Sequence, residues 1–218
     1  MRTKFAFLLH PRNTLRADMA QLLGPPFGLL PDVFWSTAFA RLPFAPLITG
    51  RISYADAPDE IVGSLITVPL TPTQLLTLPR TKVQAKISAA IDKARDLGAS
   101  IVGLGGLTAP ASAGGKALAK RTDIGITNGN AFTAAMTLVG MERLLTRIRP
   151  DPLIAIVGAT GSVGSCLTRL YARKHSGRLL LVARNQGRLD ALAKEVRGDG
   201  ADVSVGADMA AVAKADLV

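Results

Sequence analysis

Apolar residues recur along this chain with two alternating periods, and the alternation predicts strands followed by helices. Residues 4–10 form a short apolar run closed by His10 and Pro11, which predicts a buried strand. Between Gly24 and Pro46, prolines and aromatics crowd together, so an irregular but apolar stretch without long regular elements is expected. A strand is expected at 61–70, stopped by Pro69 and Pro72, with Thr71 placed to cap the helix that follows. In 80–97, Val83, Ile87, Ala90, Ile91 and Ala94 keep helical spacing until Gly98 supplies a stop. Residues 99–106 then read as a strand entering a glycine turn. After the glycine-rich 111–115 come a short helix, a strand near 124–126, and a helix opened by Thr127 or Asn130 and running to about Ile148. Pro150 and Pro152 mark a break before a new strand. The pattern predicts an α/β substrate domain with a mainly parallel sheet over 1–129, a connecting helix over 130–149, and a second α/β domain over 150–218.

The second domain begins with a strand at 153–157, a glycine turn and a helix at 162–174. Its glycines are spaced G-x-x-G-x-x-G, the strand-turn-helix context in which such spacing signals a dinucleotide. Gly158 turns the chain sharply off the strand, Gly161 removes a side chain where a pyrophosphate approaches, and Gly164 lets the helix pack closely. The amides of the turn at Thr160 and of Ser162 and Val163 then face the anion. A second strand at 179–183 is expected to end beside the adenine ribose. A domain that takes NAD places a carboxylate there, and none is present. Ala183, Arg184 and Asn185 occupy that end, with Arg188 one turn on, and guanidinium groups suit a 2′-phosphate. The cofactor expected is NADP(H); surface arginines in water are the alternative. With a helix at 187–197, a strand at 202–205 and the start of another at 215–218, about three and a half of roughly six strands are present. The chain therefore reads as the front part of a longer protein, ending within an incomplete Rossmann-type NADP-binding domain.

Composition narrows the chemistry. At 218 residues and 48% hydrophobic content, a sizeable core is expected. No apolar run reaches the roughly 18 residues of a membrane span, and the amino terminus is too short in apolar residues for a secretory leader. One cysteine and two histidines exclude an internal disulfide and leave no metal-ligand cluster. A cytoplasmic setting follows as the expectation. The net charge of +10 is concentrated in residues 61–150, which hold 11 basic and 4 acidic side chains. Such a face points to an acidic partner or serves solubility alone; without aromatic-interleaved basic stripes, nucleic acid is not expected, whereas peripheral membrane contact stays open.

Several stretches together resemble the long-chain fatty acyl-(acyl-carrier-protein) reductases, which form fatty aldehydes. They are Phe-Trp-Ser at 34–36, PLTPTQLLTLP at 69–79, GASIVGLGGLTA at 98–109, TNGNAFTA at 127–134, IVGATGSVGS at 156–165 and ARNQGRLDAL at 183–192. The resemblance implies reduction of a long acyl thioester, on acyl carrier protein or coenzyme A, by NADPH through a cysteine acyl-enzyme. It places that nucleophile beyond Val218, so no catalytic residue is expected in this chain. Cys166, in the first turns of the helix at 162–174, reads as a core residue, although a helix N-terminus also lowers a thiol pKa. Asn130 and Thr133 are either cleft residues that orient a carbonyl or the cofactor amide, or plain helix-capping residues. Asn128, in Thr127-Asn128-Gly129-Asn130 where relatives often show T-T-G-N, and Leu107-Thr108-Ala109, where they often show F-T-S, depart from the family's usual residues and leave the acyl pocket undefined. Two rival functions remain. A shikimate-dehydrogenase-like enzyme would need a lysine and an aspartate, for which Lys82 and Asp123 are the nearest by type. A noncatalytic NADP-binding sensor would need neither.

Overall fold

Strand β1 (Phe5–Leu9) holds the centre of a five-stranded sheet in the computed structural model, which describes residues 4–206 and 208–218. The chain then forms α1 (Leu15–Leu23), α2 (Asp32–Arg41), β2 (Leu47–Tyr54), β3 (Ala57–Thr67), α3 (Pro72–Thr77), α4 (Arg80–Asp96), β4 (Ile101–Leu104), α5 (Thr108–Ala111) and β5 (Gly125–Thr127). The strand order is β2-β3-β1-β4-β5. All neighbours run parallel except β2 and β3, whose antiparallel pairing breaks register at three places. These elements belong to one compact unit, Met1–Asn128; a second, Gly129–Val218, carries the rest.

The core of the first unit follows from the two periods. Val83, Ile87, Ala90, Ile91 and Ala94 form the buried stripe of α4 and pack with Ala6, Leu8, Ile66, Val102 and Leu104 from the parallel strands. Helix α4 stops where expected, at Gly98 with φ +83°. Thr71 caps α3 through a complete capping box: its hydroxyl accepts from the Gln74 amide, and the Gln74 side chain accepts from the Thr71 amide. Glycine matters on β4 because β1 presents rings there. A Cβ on residue 103 would stand 2.5 Å from the Phe7 ring, and one on residue 105 would stand 2.4 Å from the Leu8 carbonyl oxygen.

Two parts of the first unit differ from the sequence pattern. The proline- and aromatic-rich stretch expected to be irregular contains the ten-residue helix α2. Pro31 sits at its N-cap, where a missing N–H costs nothing. The aromatics form a cluster rather than a disordered surface: Phe27, Phe34 and Phe39 surround the Trp35 ring at 6.1, 5.3 and 6.4 Å, and the Trp35 indole N–H donates to the Phe27 carbonyl at 3.2 Å. The strand expected at 61–70 begins earlier, at Ala57, and ends at Thr67, because Ala57 pairs with Tyr54 of β2 in a hairpin the apolar pattern does not mark.

The second unit comprises α6 (Asn130–Leu145), β6 (Leu153–Val157), α7 (Ser162–Lys174), β7 (Arg178–Val182), α8 (Gln186–Gly198) and β8 (Asp202–Gly206). Its strands run parallel in the order β6-β7-β8, and Leu217 bridges Ile154 in the same sense on the free edge of β6. The fourth segment thus lies beside the first, so the sheet winds outward in both directions from β6. Asp216 fixes this return: its carboxylate receives two hydrogen bonds from Arg149 and one from the Leu153 amide, all at 2.8 Å. Ala134, Leu138 and Met141 of α6 share one core with Ile154, Leu179, Leu181, Leu189 and Val196, which makes α6 a packed helix of this unit.

Glycine replacement separates contact from conformation. Gly105→Ala is expected to cost about 2 kcal/mol, within the usual range for overpacking, because its methyl would overlap the Leu8 carbonyl. Gly140→Ala, inside α6 with nothing near its Cβ position, is expected to gain about 0.5–1 kcal/mol. Urea denaturation followed by circular dichroism checks both signs.

Candidate functional site

The turn from β6 into α7 is held tightly. Gly158 adopts φ +76°, and its amide and that of Ala159 donate to the Val182 carbonyl at 2.8 and 3.1 Å, tying the turn to the end of β7. A Cβ on residue 164 would stand 2.4 Å from the Gly158 carbonyl oxygen, and one on residue 161 would stand 3.1 Å from the same atom. Gly164 is therefore required by contact, Gly161 leaves only a tight fit for a side chain, and Gly158 is favoured by conformation. No side chain caps the helix at Gly161. The amides of Ser162, Val163 and Gly164 open α7, where intrahelical acceptors are lacking and the helix dipole is positive.

Beside this turn lies a cavity of about 790 Å³ at the C-terminal ends of β6 and β7. It is lined by Gly158, Thr160, Gly161, Ala183, Arg184, Asn185 and Arg188, seven of the ten residues expected from sequence to hold a cofactor. Ser162, Val163 and Gly164 form the adjoining first turn of α7. The Asn185 side chain accepts from the Arg188 amide at 3.0 Å and so caps α8. Among the described residues, Arg184 and Arg188 form no ion pair, whereas Arg149 and Arg169 of the same unit each hold a carboxylate. Two free guanidinium groups and an open helix N-terminus make the cavity suited to phosphates.

Three lining residues were not anticipated from the sequence. Val157 and Val182 end their strands, and Val157 is 46% exposed at the cavity, so the rule that ligands sit beyond strand C-termini could have found them. Met209, 58% exposed, follows β8 and is brought in only by tertiary structure. These apolar surfaces could flank a flat ring.

None of the remaining singled-out residues is in the lining of that cavity. Cys166 is partly buried against the core of the second unit. Asn130 begins α6 just after Gly129, and the Thr133 hydroxyl donates to the Gly129 carbonyl at 3.2 Å, a first-turn role. Asn128 lies in the first unit, where its side-chain amide donates to Gly114. Asp123 is held by Arg121 and, at 3.0 Å, by Arg95; these cations keep its carboxyl well below the usual range. Lys82 makes no ion pair with it among the described residues. Lys86, one of the basic side chains counted over 61–150, is not a free charge: its ammonium donates to the Leu42 and Phe44 carbonyls at 3.0 and 3.1 Å, and burial lowers its pKa. Arg95 is likewise occupied, by Asp92, Asp96 and Asp123. Arg80, Lys82 and Lys93 remain as the exposed cations of α4.

No protein-family model matches the chain. It is 29% identical over 182 residues to a long-chain acyl-[acyl-carrier-protein] reductase of Synechococcus elongatus, a match covering 75% of this chain and 50% of that protein. The chain spans about half the length of this curated relative. The resemblance read from the motifs is supported along most of the chain.

The Asp123 cluster predicts a pH dependence. A carboxylate whose pKa is depressed in the folded state adds stability above its ordinary value of 3.8 that is lost as pH falls toward the folded value. Asp123→Asn is thus expected to lower the thermal midpoint at neutral pH, with the gap to the parent chain closing progressively below about pH 4. Melting curves across that range check it.

Proposed function

We propose that this chain is the cofactor-binding part of an NADPH-dependent reductase that converts long-chain acyl thioesters, on acyl carrier protein or coenzyme A, to fatty aldehydes. The observation that carries the reading is the unpaired Arg184 and Arg188 beside the glycine turn. The amides of Thr160 to Val163 would hold the diphosphate, the two guanidiniums the 2′-phosphate, and Val157 and Met209 the faces of the adenine. When bound, NADPH supplies the hydride that replaces sulfur at the acyl carbon, so that a C–H bond forms, the C–S bond breaks and a thiol leaves. The likeness to the Synechococcus protein supports the substrate class. In this reading Cys166, packed against the core, has a structural role. A dehydrogenase using Lys82 and Asp123 is disfavoured by the arginine pair that occupies Asp123. One cysteine and, among the described residues, no helix apolar and long enough to cross a membrane accord with a cytoplasmic setting.

Cofactor choice is tested at Arg184. Losing a hydrogen bond to a charged group costs about 1.5–3 kcal/mol, or roughly 10- to 100-fold in affinity. Arg184→Ala is expected to weaken NADPH by that factor and to leave NADH nearly unchanged, measured by fluorescence titration. Equal loss for both would remove the 2′-phosphate assignment.

The carrier-protein reading is tested on α4. Attraction between unlike surface charges acts mainly on encounter rates and is screened over about 10 Å at 0.1 M salt. Reversing Lys82 and Lys93 to Glu is expected to slow association of acyl carrier protein and flatten its salt dependence. Lys86→Glu is expected to lower stability instead, because it breaks the contacts to the Leu42 and Phe44 carbonyls. Stopped-flow binding and thermal denaturation separate the two effects.

A further inference from the structure

A second cavity, of about 430 Å³, opens in the first unit at the C-terminal ends of β1 and β3, where α1 and β2 also contribute its lining. Leu9, Met19, Leu22, Phe39 and Leu47 give it apolar walls. Most of its polar lining is satisfied internally: the Thr49 and Thr67 hydroxyls bond to each other at 2.9 Å, and Arg12 pairs with Asp18. The exposed Gln21 and the half-buried His10 are the exceptions. His10 Nδ1 lies 3.0 Å from the Pro11 carbonyl oxygen, which can only accept, so Nδ1 carries the hydrogen. Its Nε2 has no hydrogen-bond partner among the described residues.

The Gly105–Gly106 pair has no part in the cofactor cavity, yet it positions this ring. A Cβ on Gly106, whose φ is +53°, would stand 2.6 Å from His10 Nε2. Absence of a side chain there lets the imidazole lie over the turn while remaining in the cavity lining. A largely apolar pocket whose half-buried uncommitted polar atom is this ring nitrogen, with Gln21 out at the exposed rim, matches a ligand with a long aliphatic body and a single polar end.

We infer that this cavity binds an aliphatic chain of the fatty-acyl class, with its polar end beside His10; the choice of ligand rests on the acyl-thioester reading above. The chain lies against Met19, Leu22 and Phe39. Met19 and Phe39 also pack with Trp35, the single tryptophan, whose ring is 6.4 Å from that of Phe39, so indole fluorescence reports occupancy.

The test titrates the 218-residue chain with butyrate, octanoate and laurate below their micellar concentrations, without nucleotide, following Trp35 emission. A saturable change is expected that tightens by up to about fourfold per added methylene, the ratio set by burying one such group. Leu22 is 44% exposed, so Leu22→Glu leaves the fold intact while placing a carboxylate in the wall; it is expected to weaken laurate at least about tenfold. His10→Ala is expected to weaken laurate several-fold while keeping the dependence on chain length. Equal responses to butyrate and laurate, or laurate binding unchanged by Leu22→Glu, would overturn the cavity assignment, and unchanged binding by His10→Ala would overturn the placement of the polar end. NADPH titration of the same samples separates the readings: if NADPH binds and laurate does not, the cavity assignment alone fails.

Discussion

A helix can begin directly over a strand end only where the chain leaves room for backbone to meet backbone. In the second unit that room is made by Gly164, which stands where any Cβ would overlap the Gly158 carbonyl. Because α7 starts so close to the turn, its first amides lie beside the ends of β6 and β7. The same approach brings the α7 core residues Leu167 and Tyr171 against Ile154 and Leu179. A phosphate site and a packed core thus share one steric requirement, and loosening the contact would affect both.

Charge is arranged by which cations are already engaged. The chain carries a net +10, but Arg95, Arg121, Arg149 and Arg169 hold carboxylates, and Lys86 holds two carbonyls. These groups fasten helices and loops to one another, and their charge is largely neutralised where it stands. Other cations have no such partner among the described residues, and of these Arg184 and Arg188 stand in the cavity lining beside the α7 N-terminus while Arg80, Lys82 and Lys93 are exposed on α4. Total charge therefore predicts less about recognition here than where the uncommitted side chains stand.

Much of the fold was legible because it is local. Helix α7 runs 162–174 as its pattern indicated, and α4 and α8 deviate by only a residue, since each combines a 3.6-residue stripe with a glycine or polar stop. The glycine turn and Arg184 were legible for the same reason: spacing along one strand-turn-helix segment already sets their geometry. Helix α2 was not, because its stability comes from an aromatic cluster joining residues up to twelve apart, Phe27 to Phe39, and prolines at its entrance mimic loop composition. The β2–β3 hairpin was hidden by its polar end, where Asp59 and Glu60 interrupt the apolar run. Met209 and the carbonyl contacts of Lys86 depend on segments distant in sequence, which no local period encodes. His10 marked only the end of a strand in the sequence; its place over Gly106 appears once β1 and β4 are paired.

The register breaks in β2 bear on how this molecule meets copies of itself. An open sheet ends in rows of unpaired amides and carbonyls, which can template growth by another chain when the edge is long and flat. At one edge of the first sheet, the irregular pairing of β2 twists and interrupts that row, and Arg51 adds a charge along it. At the other edge, β5 offers only three residues, Gly125–Thr127. Neither border presents a continuous straight ladder, so a sheet with a strongly apolar centre can stay open-ended without inviting fibrillar stacking.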